Sequence, residues 1–414
     1  MRRHGTPMLL YRCLISLFAL GVLSRAAWGQ GKDAVAARLG GGAAGGGQPR
    51  LWLHAASNGE LASARPVIEA LQAARPDLPL IVTCNTETGC ALARRMGLEA
   101  RLAPLDLGWA VARFLRGWGV VGHITLESEL WPNRIARMPG PVIVLGGRLT
   151  AKSAKGWGRV PGLARRMLAR VDLLSAQDAG SRDRFLALGL PQAAAGPVVD
   201  LKALYKPPSD MAPEPDLAAA YPRARTWLAA STHPGEEEVV IAAHLSARAA
   251  EPELRLILAP RHPRRADAVA SMLEAAGLSV SRRSRGEAGA EVLLADTMGE
   301  MARWYALAGR VFIGGTLTDR GGHTPFEPAA FGAALLHGPD VANFARPFAR
   351  LDRGRAARAV EDAEGLAAAL TALAAPDAQT GLGGEAAEVL RPEADLDALV
   401  AAILARFRPA SGTA

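Results

Sequence analysis

Short apolar stretches alternate with segments of helical periodicity along this chain, and the alternation occurs in two separate runs. The first run extends from about residue 50 to 199, and the second from about 226 to 407. Apolar stretches bounded by turn residues are typical of buried strands, and strands that alternate with helices predict a parallel sheet covered by helices. The sequence therefore predicts an α/β fold with two Rossmann-like domains facing each other across a cleft.

Length and the segment between the two runs predict the domain boundaries. A chain of 414 residues is too long for one ordinary domain. Residues 205–222 carry five prolines and little periodicity, which indicates a linker. We therefore expect a first domain at 31–204, a linker at 205–222, and a second domain at 223–414 that includes the closing helices.

The N-terminus combines basic residues with an apolar segment. Arg2 and Arg3 precede the apolar stretch 8–28, which is interrupted by Arg12 and Arg25. The stretch is of marginal length for a membrane span, and its arginines can extend towards the membrane interfaces. We expect residues 1–30 to form a membrane anchor or interfacial helix, with the rest of the protein on the cytoplasmic side. A cleaved signal peptide is the alternative.

Charge and composition limit the classes of partner. The formal net charge of +8 favours an anionic partner such as nucleic acid, an acidic membrane surface or a phosphorylated substrate. Aromatic residues are scarce and no nucleic-acid-binding motif is present, so nucleic acid is not expected. Three cysteines fit neither a disulfide framework nor a metal site. No dinucleotide or Walker motif is found, and we expect neither metal nor cofactor.

Candidate catalytic carboxylates follow two strands of the first run. Ser57 and Glu60 have the spacing of a helix capping box, and Glu60 could instead be a general base at a strand-to-helix turn. Capping lowers a carboxylate's pKa, so a base here requires partial desolvation. Glu127 and Glu129 follow another strand beside Trp131, where a purely solvated role is unusual.

The second run has polar residues at the ends of four strands. The hydroxyls and backbone N–H groups of residues 231–236 could hold a phosphate, and Arg261 could bind one bidentately. Residues 296–300 open a helix, and the glycine-rich stretch 314–327 ends in Glu327, which could accept hydrogen bonds from ribose hydroxyls. Together these positions predict a nucleotide pocket.

Six short motifs resemble, in the same order, those of the 3-deoxy-D-manno-octulosonic acid (Kdo) transferases. The similarity runs from about Leu51 to Phe344 and includes the character of the N-terminal segment. The motifs are Ser-Asn-Gly-Glu at 57–60, Glu-Ser-Glu-Leu-Trp-Pro-Asn at 127–133, Ser-Thr-His-Pro-Gly-Glu at 231–236, Arg-His-Pro at 261–263, Asp-Thr-Met-Gly-Glu at 296–300 and Gly-Gly-His-Thr-Pro-Phe-Glu-Pro-Ala-Ala at 321–330.

The resemblance implies a GT-B glycosyltransferase on the cytoplasmic side of the inner membrane. It implies metal-independent transfer of Kdo from CMP-Kdo to an anionic lipid A precursor, with inversion at the anomeric carbon, in lipopolysaccharide biosynthesis. Glu60 matches the family's base, and Glu129, with Glu127 the less favoured choice, matches an acid that assists the transition state. The matching nucleotide-binding positions are Arg261, His262, Met298, Gly299, Glu300, Thr324, Pro325, Phe326 and Glu327.

Several positions depart from the family pattern. Asn58 stands where the family usually has valine, Thr324 where it has asparagine, and the stretch 146–150 replaces Asn-Ala-Arg-Leu-Ser. The family's Gly-Asn-x-Lys-Phe-Asp is replaced by Gly-Pro-Val-Val-Asp at 196–200, which removes a lysine that assists the transition state. Lys202 or Arg148 could take its place.

Two alternatives to Kdo transfer remain open from the sequence. One is a GT-B glycosyltransferase or epimerase for another nucleotide sugar. The other is a non-catalytic relative that binds CMP-sugar or lipid. The missing lysine favours the second, whereas the presence of both Glu60 and Glu129 opposes it.

Overall fold

The computed structural model describes residues 6–29, 31–42, 48–207, 213–392 and 395–407. The chain divides into two compact units. Unit 1 comprises Met1–Leu204 together with Pro392–Ala414, and unit 2 comprises Tyr205–Arg391.

Unit 1 is built on a six-stranded parallel sheet with the strand order β3-β2-β1-β4-β5-β6. Its strands are β1 (Arg50–Ala55), β2 (Leu80–Cys84), β3 (Glu99–Leu102), β4 (Val120–Leu126), β5 (Val142–Gly147) and β6 (Leu173–Ala176). Its helices are α1 (Thr6–Gly29), α2 (Lys32–Arg38), α3 (Asn58–Ser63), α4 (Arg65–Ala74), α5 (Glu87–Arg95), α6 (Gly108–Gly117), α7 (Pro132–Ala136), α8 (Ala151–Gly158), α9 (Pro161–Leu168), α10 (Ala179–Ala187) and α19 (Leu396–Leu404).

Unit 2 is built on a seven-stranded parallel sheet with the order β13-β12-β11-β7-β8-β10-β9. Its strands are β7 (Thr226–Thr232), β8 (Arg255–Pro260), β9 (Val280–Arg282), β10 (Val292–Leu294), β11 (Arg310–Ile313), β12 (Ala334–His337) and β13 (Arg358–Ala359). Its helices are α11 (Pro215–Ala220), α12 (Glu236–Arg248), α13 (Ala266–Ala275), α14 (Met301–Leu307), α15 (Phe326–Ala330), α16 (Ala345–Arg353), α17 (Ala363–Ala372) and α18 (Pro376–Val389).

The strands form where the sequence has continuous apolar runs. Every residue of β2 and of β11 is buried, because helices cover both faces of a parallel sheet and leave no face for water. The helices have one apolar face, as in α4, where Val67, Ile68 and Leu71 are buried. The predicted pair of Rossmann-like α/β domains is confirmed.

The boundaries of the two units differ from the predicted domains. Helix α19 was assigned to the second domain but packs in unit 1, because its apolar residues Leu399, Val400 and Ile403 join the core of the first sheet and contact α4. Part of the predicted linker, residues 208–212, lies outside the described residues. The remainder belongs to unit 2, where Leu217 and Tyr221 are buried.

The N-terminal apolar segment forms helix α1, although Arg2 and Arg3 lie outside the described residues. Within the described part of the chain, Tyr11–Gly29 is long and apolar enough to cross a membrane, a test that signal sequences also pass. Most of this helix is exposed, including Leu17 and Phe18. It is nevertheless joined to unit 1, because the Tyr11 hydroxyl donates to Asp106 Oδ2 at 2.5 Å. The helix is thus compatible with membrane association.

The position of α19 predicts that its apolar face stabilises unit 1. Ile403 is fully buried in the core of the first sheet, so Ile403→Ala should lower the free energy of unfolding by about 2–4 kcal/mol. Urea denaturation followed by fluorescence measures this loss. Leu245→Ala, at a partly exposed position in α12 of unit 2, serves as the control. Equal stabilities of the two variants would contradict the assignment of α19 to the core of unit 1.

Candidate functional site

The carboxylates of unit 1 gather where the strand order reverses. Strands β1 and β4 are neighbours in the sheet, yet they are first and fourth in the chain. Ligands of open α/β sheets bind beyond the carboxyl ends of such a pair. Glu60 follows β1, whereas Glu127 and Glu129 follow β4, so all three acids lie at this edge. The structure thus brings together the acids that the sequence singled out in the first run.

Glu60 lies in the first turn of α3 and takes part in capping it. Ser57 Oγ accepts from the Glu60 backbone N–H at 3.2 Å, as the capping box predicts. The Glu60 carboxylate accepts from the N–H of Ala56 at 2.8 Å and from the Ser57 hydroxyl at 3.2 Å. Capping and function are therefore not exclusive, because the same hydrogen bonds fix the orientation of the carboxylate.

The pKa of Glu60 is raised to about 7. Burial is the main cause, and the negative charges of Glu127 and Glu129 add to it, while the hydrogen bonds from Ala56 and Ser57 oppose it. The desolvation that the sequence analysis required of a base is thus present. A carboxylate with a pKa near 7 is suited to accept a proton at neutral pH.

The surroundings of Glu129 shift its pKa in the direction opposite to that of Glu60. Its Oε2 lies 2.7 Å from Trp131 Nε1 and 3.3 Å from His54 Nε2. Burial alone would raise its pKa, but the hydrogen bonds from His54 and Trp131, with the positive charge of Arg134, lower the pKa to about 2. Glu129 is therefore ionised at neutral pH.

Glu127 has an unusual backbone conformation and a nearby cation. Its φ angle is 50°, in the left-handed region that non-glycine residues rarely adopt and that is enriched at functional sites. Its Oε1 lies 4.0 Å from the Lys202 ammonium, and a small cavity is lined by both residues and by Glu60. Lys202 is held by a short 3₁₀ helix, Leu201–Leu204, whose leucines are buried.

Of the two candidates for the missing lysine, only one lines this cavity. Lys202 does so, and its backbone N–H donates to Asp200 Oδ1 at 3.0 Å, which fixes the turn after the altered stretch 196–200. Arg148 is exposed, and the cavity that contains Glu60 and Lys202 is lined without it. The geometry therefore favours Lys202 as the residue that supplies a positive charge.

The polar residues of unit 2 also gather at a reversal of strand order. Strands β7 and β11 are neighbours, and the loops that follow them carry His233 and His323. The two Nε2 atoms lie 3.0 Å apart, and the ring of His262 is edge-on to that of His233 at 6.2 Å. Burial lowers the pKa of His233, and the positive charges of Arg320, His262 and Arg261 lower it further. This cluster of cations and imidazoles is suited to an anionic ligand.

One expectation for this edge needs correction. The backbone N–H groups of the 231–236 turn were expected to be available to a phosphate, but the buried carboxylate of Glu236 accepts from the N–H of His233 at 2.9 Å. The same carboxylate accepts from Gly315, Thr316 and Leu317 of the glycine-rich stretch, at 2.7, 3.0 and 3.0 Å. Glu236 therefore holds the two loops together, and in the 231–236 turn it occupies the N–H group of His233.

The remaining predicted nucleotide-binding residues fall into two groups. Arg261 and His262 are exposed after β8, as are Met298 and Gly299 after β10, whereas Glu300 is ion-paired with Arg283 and Arg303 at 2.9 and 2.8 Å. In the stretch after β11, Pro325 and Phe326 are buried and support the loop, while Thr324 and Glu327 are partly exposed. Burial raises the pKa of Glu327, which lies in the first turn of α15.

His54 is the functional candidate that the sequence analysis missed. It is the penultimate residue of β1 and is fully buried, yet its ring contacts Glu129. A polar residue inside an otherwise apolar strand, directly before the Glu60 turn, was the available signal.

Two units, each built on a parallel Rossmann-like sheet, are the architecture of the GT-B fold. The UDP-GlcNAc 2-epimerase of Neisseria meningitidis, solved with UDP-GlcNAc bound, has a similar fold, with a TM-score of 0.59 and 12% identity over 86% of this chain and all of that one. Identity this low shows the fold alone.

Sequence comparison gives the family. The family model described as 3-deoxy-D-manno-octulosonic-acid transferase (kdotransferase) matches residues 33–204. The 3-deoxy-D-manno-octulosonic acid transferase of Haemophilus influenzae is 33% identical over 312 residues, 73% of each chain. That of Bordetella pertussis is 34% identical over 358 residues, 80% of this chain and 77% of its own. This chain belongs to the Kdo transferase family and is a glycosyltransferase, which confirms the resemblance carried by its motifs.

The clustered acids predict a coupled titration. Because the negative charge of Glu127 contributes to the raised pKa of Glu60, Glu127→Gln should lower the pKa of Glu60. Carbon-13 NMR of a protein labelled at the glutamate carboxyl carbons measures this pKa. Glu69→Gln, at an exposed position on α4, should leave it unchanged. A Glu60 carboxyl that titrates near 4.5 in the unmodified protein would contradict the proposed environment.

Proposed function

We propose that this enzyme transfers Kdo from CMP-Kdo to a lipid A precursor, with inversion at the anomeric carbon, at the cytoplasmic face of the inner membrane. The observation that carries the proposal is the pair of carboxylates with divergent pKa values, Glu60 near 7 and Glu129 near 2, at one edge of the first sheet. Such divergence is how one site supplies both a base and a permanent negative charge.

Glu60 acts as the general base in this mechanism. It accepts the proton of the acceptor hydroxyl as that oxygen attacks the anomeric carbon of Kdo. Attack opposite to the leaving CMP forms the new C–O bond while the bond to the CMP phosphate breaks, and this geometry inverts the anomeric centre. Glu129 remains ionised and stabilises the oxocarbenium-like charge that develops on the sugar.

Cations offset the negative charges of the donor. Kdo is a carboxylic acid and CMP carries a phosphate, so both need positive partners. In unit 1 the Lys202 ammonium is the group beside Glu60 and Glu127 that can bind the Kdo carboxylate. In unit 2, Arg261 and His262 are exposed at the edge that also carries His233 and His323, and they bind the CMP phosphate.

A groove beside α1 supports a lipid acceptor. It has a volume of about 480 Å³, and it lies at the edge of the sheet that carries Glu60, because Asn85 directly follows β2, the neighbour of β1. Apolar side chains suit acyl chains, and two arginines suit the phosphates of an anionic lipid. The lining residues are Leu17, Phe18, Gly21, Val22, Arg25, Ala26, Arg38 and Asn85.

The reaction itself is tested by direct transfer. Freshly generated CMP-Kdo and a tetra-acylated lipid A precursor are incubated with the enzyme in detergent, and the lipid is analysed by mass spectrometry. A mass gain of one or more Kdo units is expected, and the gain also counts the additions. CMP binding without any gain would overturn the proposed reaction and favour another acceptor or a non-catalytic relative.

The role of Glu60 gives a second prediction. Glu60→Gln should lower kcat by about 10²–10⁴-fold, because the base is lost, while CMP binding is retained in unit 2. In the unmodified enzyme the rate should rise with pH through about 7, since Glu60 must be deprotonated to act. Glu69→Gln is the matched control, because it makes the same chemical change at an exposed glutamate on α4 and should leave kcat unchanged. Near-normal turnover by Glu60→Gln would reduce Glu60 to a capping residue.

Lys202 gives a third prediction. Lys202→Met should lower the transfer rate at least 10-fold, because the Kdo carboxylate and the adjacent Glu127 lose their cation, and Lys202→Arg should restore part of it. Arg148 is the other candidate, and Arg148→Met is expected to transfer Kdo at the rate of the unmodified enzyme. Steady-state kinetics of the three variants decides between the two residues, and the reverse pattern would assign the role to Arg148.

A further inference from the structure

We propose that His54 is a positioning residue for Glu129, held by Thr83 as the neutral tautomer that carries its proton on Nε2. In this form it donates its only ring proton to the Glu129 carboxylate. The inference rests on the proposed role of Glu129 in transfer. It adds a hydrogen-bonded series of side chains that sets the orientation and the charge of the Glu129 carboxylate. This hydrogen-bonded series extends from β1 and β2 to the loop after β4. Its members are Trp52, Thr83, His54, Glu129 and Trp131.

Trp52 sets the direction of proton donation at one end of this hydrogen-bonded series. An indole N–H can only donate, and Trp52 Nε1 lies 2.7 Å from Thr83 Oγ1. Thr83 Oγ1 therefore accepts from Trp52 and directs its own proton elsewhere. Thr83 Oγ1 can then donate its own proton to His54 Nδ1, 2.9 Å away, and this donation requires an Nδ1 that carries no proton.

The direction at the other end is set by Glu129. An ionised carboxylate only accepts, and its Oε2 already receives the indole N–H of Trp131 at 2.7 Å. His54 Nε2 lies 3.3 Å from the same oxygen, so this nitrogen carries the proton. The opposite tautomer would donate from Nδ1 to the Thr83 carbonyl, 3.0 Å away, and would turn the Nε2 lone pair towards the carboxylate.

Burial, together with a nearby positive charge, disfavours a doubly protonated His54 at neutral pH. Burial and the positive charge of Arg134 lower its pKa to about 4, although Glu129 opposes this shift. His123, whose ring lies 4.3 Å from that of Trp52, is also buried and has a lowered pKa, so it is neutral. Other charged groups at this edge include Glu60, Glu127, Asp200 and Lys202, which line the same small cavity.

This arrangement explains how a buried carboxylate stays charged and correctly oriented. Both N–H donors bind Oε2, which fixes the rotation of the carboxyl group and leaves Oε1 as the oxygen to face the sugar. If His54 adopted the other tautomer, Glu129 would lose one donor and face a lone pair, so its proton affinity would rise. Thr83 lies two strands away from Glu129 and thereby influences whether the Glu129 carboxylate is charged when the transition state forms.

Nitrogen-15 NMR of histidine-labelled full-length enzyme tests the tautomer without any need for activity. We expect the His54 signals, identified by their loss in His54→Gln, to show a protonated Nε2 and an unprotonated Nδ1 at pH 7. Thr83→Val, which removes the hydroxyl but keeps the volume, should shift His54 to the Nδ1–H tautomer, whereas Thr83→Ser should not. A protonated Nδ1 in the unmodified enzyme would overturn the inference, whether or not Kdo transfer is observed.

Kinetics of paired variants tests the link to catalysis. His54→Gln keeps an N–H donor at the position of Nε2, while His54→Leu does not. We expect His54→Leu and Thr83→Val to lower kcat about 10-fold or more with little change in the KM for the acceptor, and His54→Gln to retain more of the rate. Equal losses for His54→Gln and His54→Leu would mean that His54 only packs the core. If Thr83→Val does not fold, the His54 pair decides. If the unmodified enzyme transfers no Kdo, the proposed function fails, and NMR still tests the tautomer.

Discussion

The parallel pairing of β1 with β4 is the constraint on which the rest of unit 1 depends. Each of these strands is buried between helices, so their register is fixed by apolar contacts that have no part in chemistry. Because the strand order reverses between them, the two following loops diverge to opposite faces and leave space at the carboxyl edge. Glu60 in the first turn of α3 and the two acids after β4 can lie together there only because the sheet holds the ends of these strands in place.

Burial and hydrogen bonding then separate acids that have the same chemistry. Glu60 loses water and gains negative neighbours, and the two hydrogen bonds it accepts do not offset that cost. Glu129 also loses water, but two side-chain N–H donors and a nearby guanidinium more than compensate. The distinction lies in the surroundings of each carboxyl group, which is a property of the folded chain.

The sequence was sufficient for the fold class and for the strand ends at which most of the candidate site residues lie. Apolar runs and strand-end polar residues predicted two parallel sheets and both clusters, since these patterns are local. Glu236 was grouped with a phosphate-binding turn, because nothing local shows that its carboxylate meets Gly315, far away in the chain. His54 was missed for the same reason: its partners Thr83 and Glu129 are 29 and 75 residues away. Helix α19 was misassigned because proximity in sequence says little about which core an apolar helix joins.

The return of α19 to unit 1 has a consequence for how the chain folds during synthesis. The ribosome completes the six strands of unit 1 by residue 176, yet the helix that covers part of their core is made only at residues 396–404. Throughout the synthesis of unit 2, the apolar surface that later receives Leu399 and Ile403 has no native partner. Domains usually fold in order as they emerge. Here the core of the nascent first unit stays incomplete until α19 has left the exit tunnel, so this helix is required for the final folded state of unit 1.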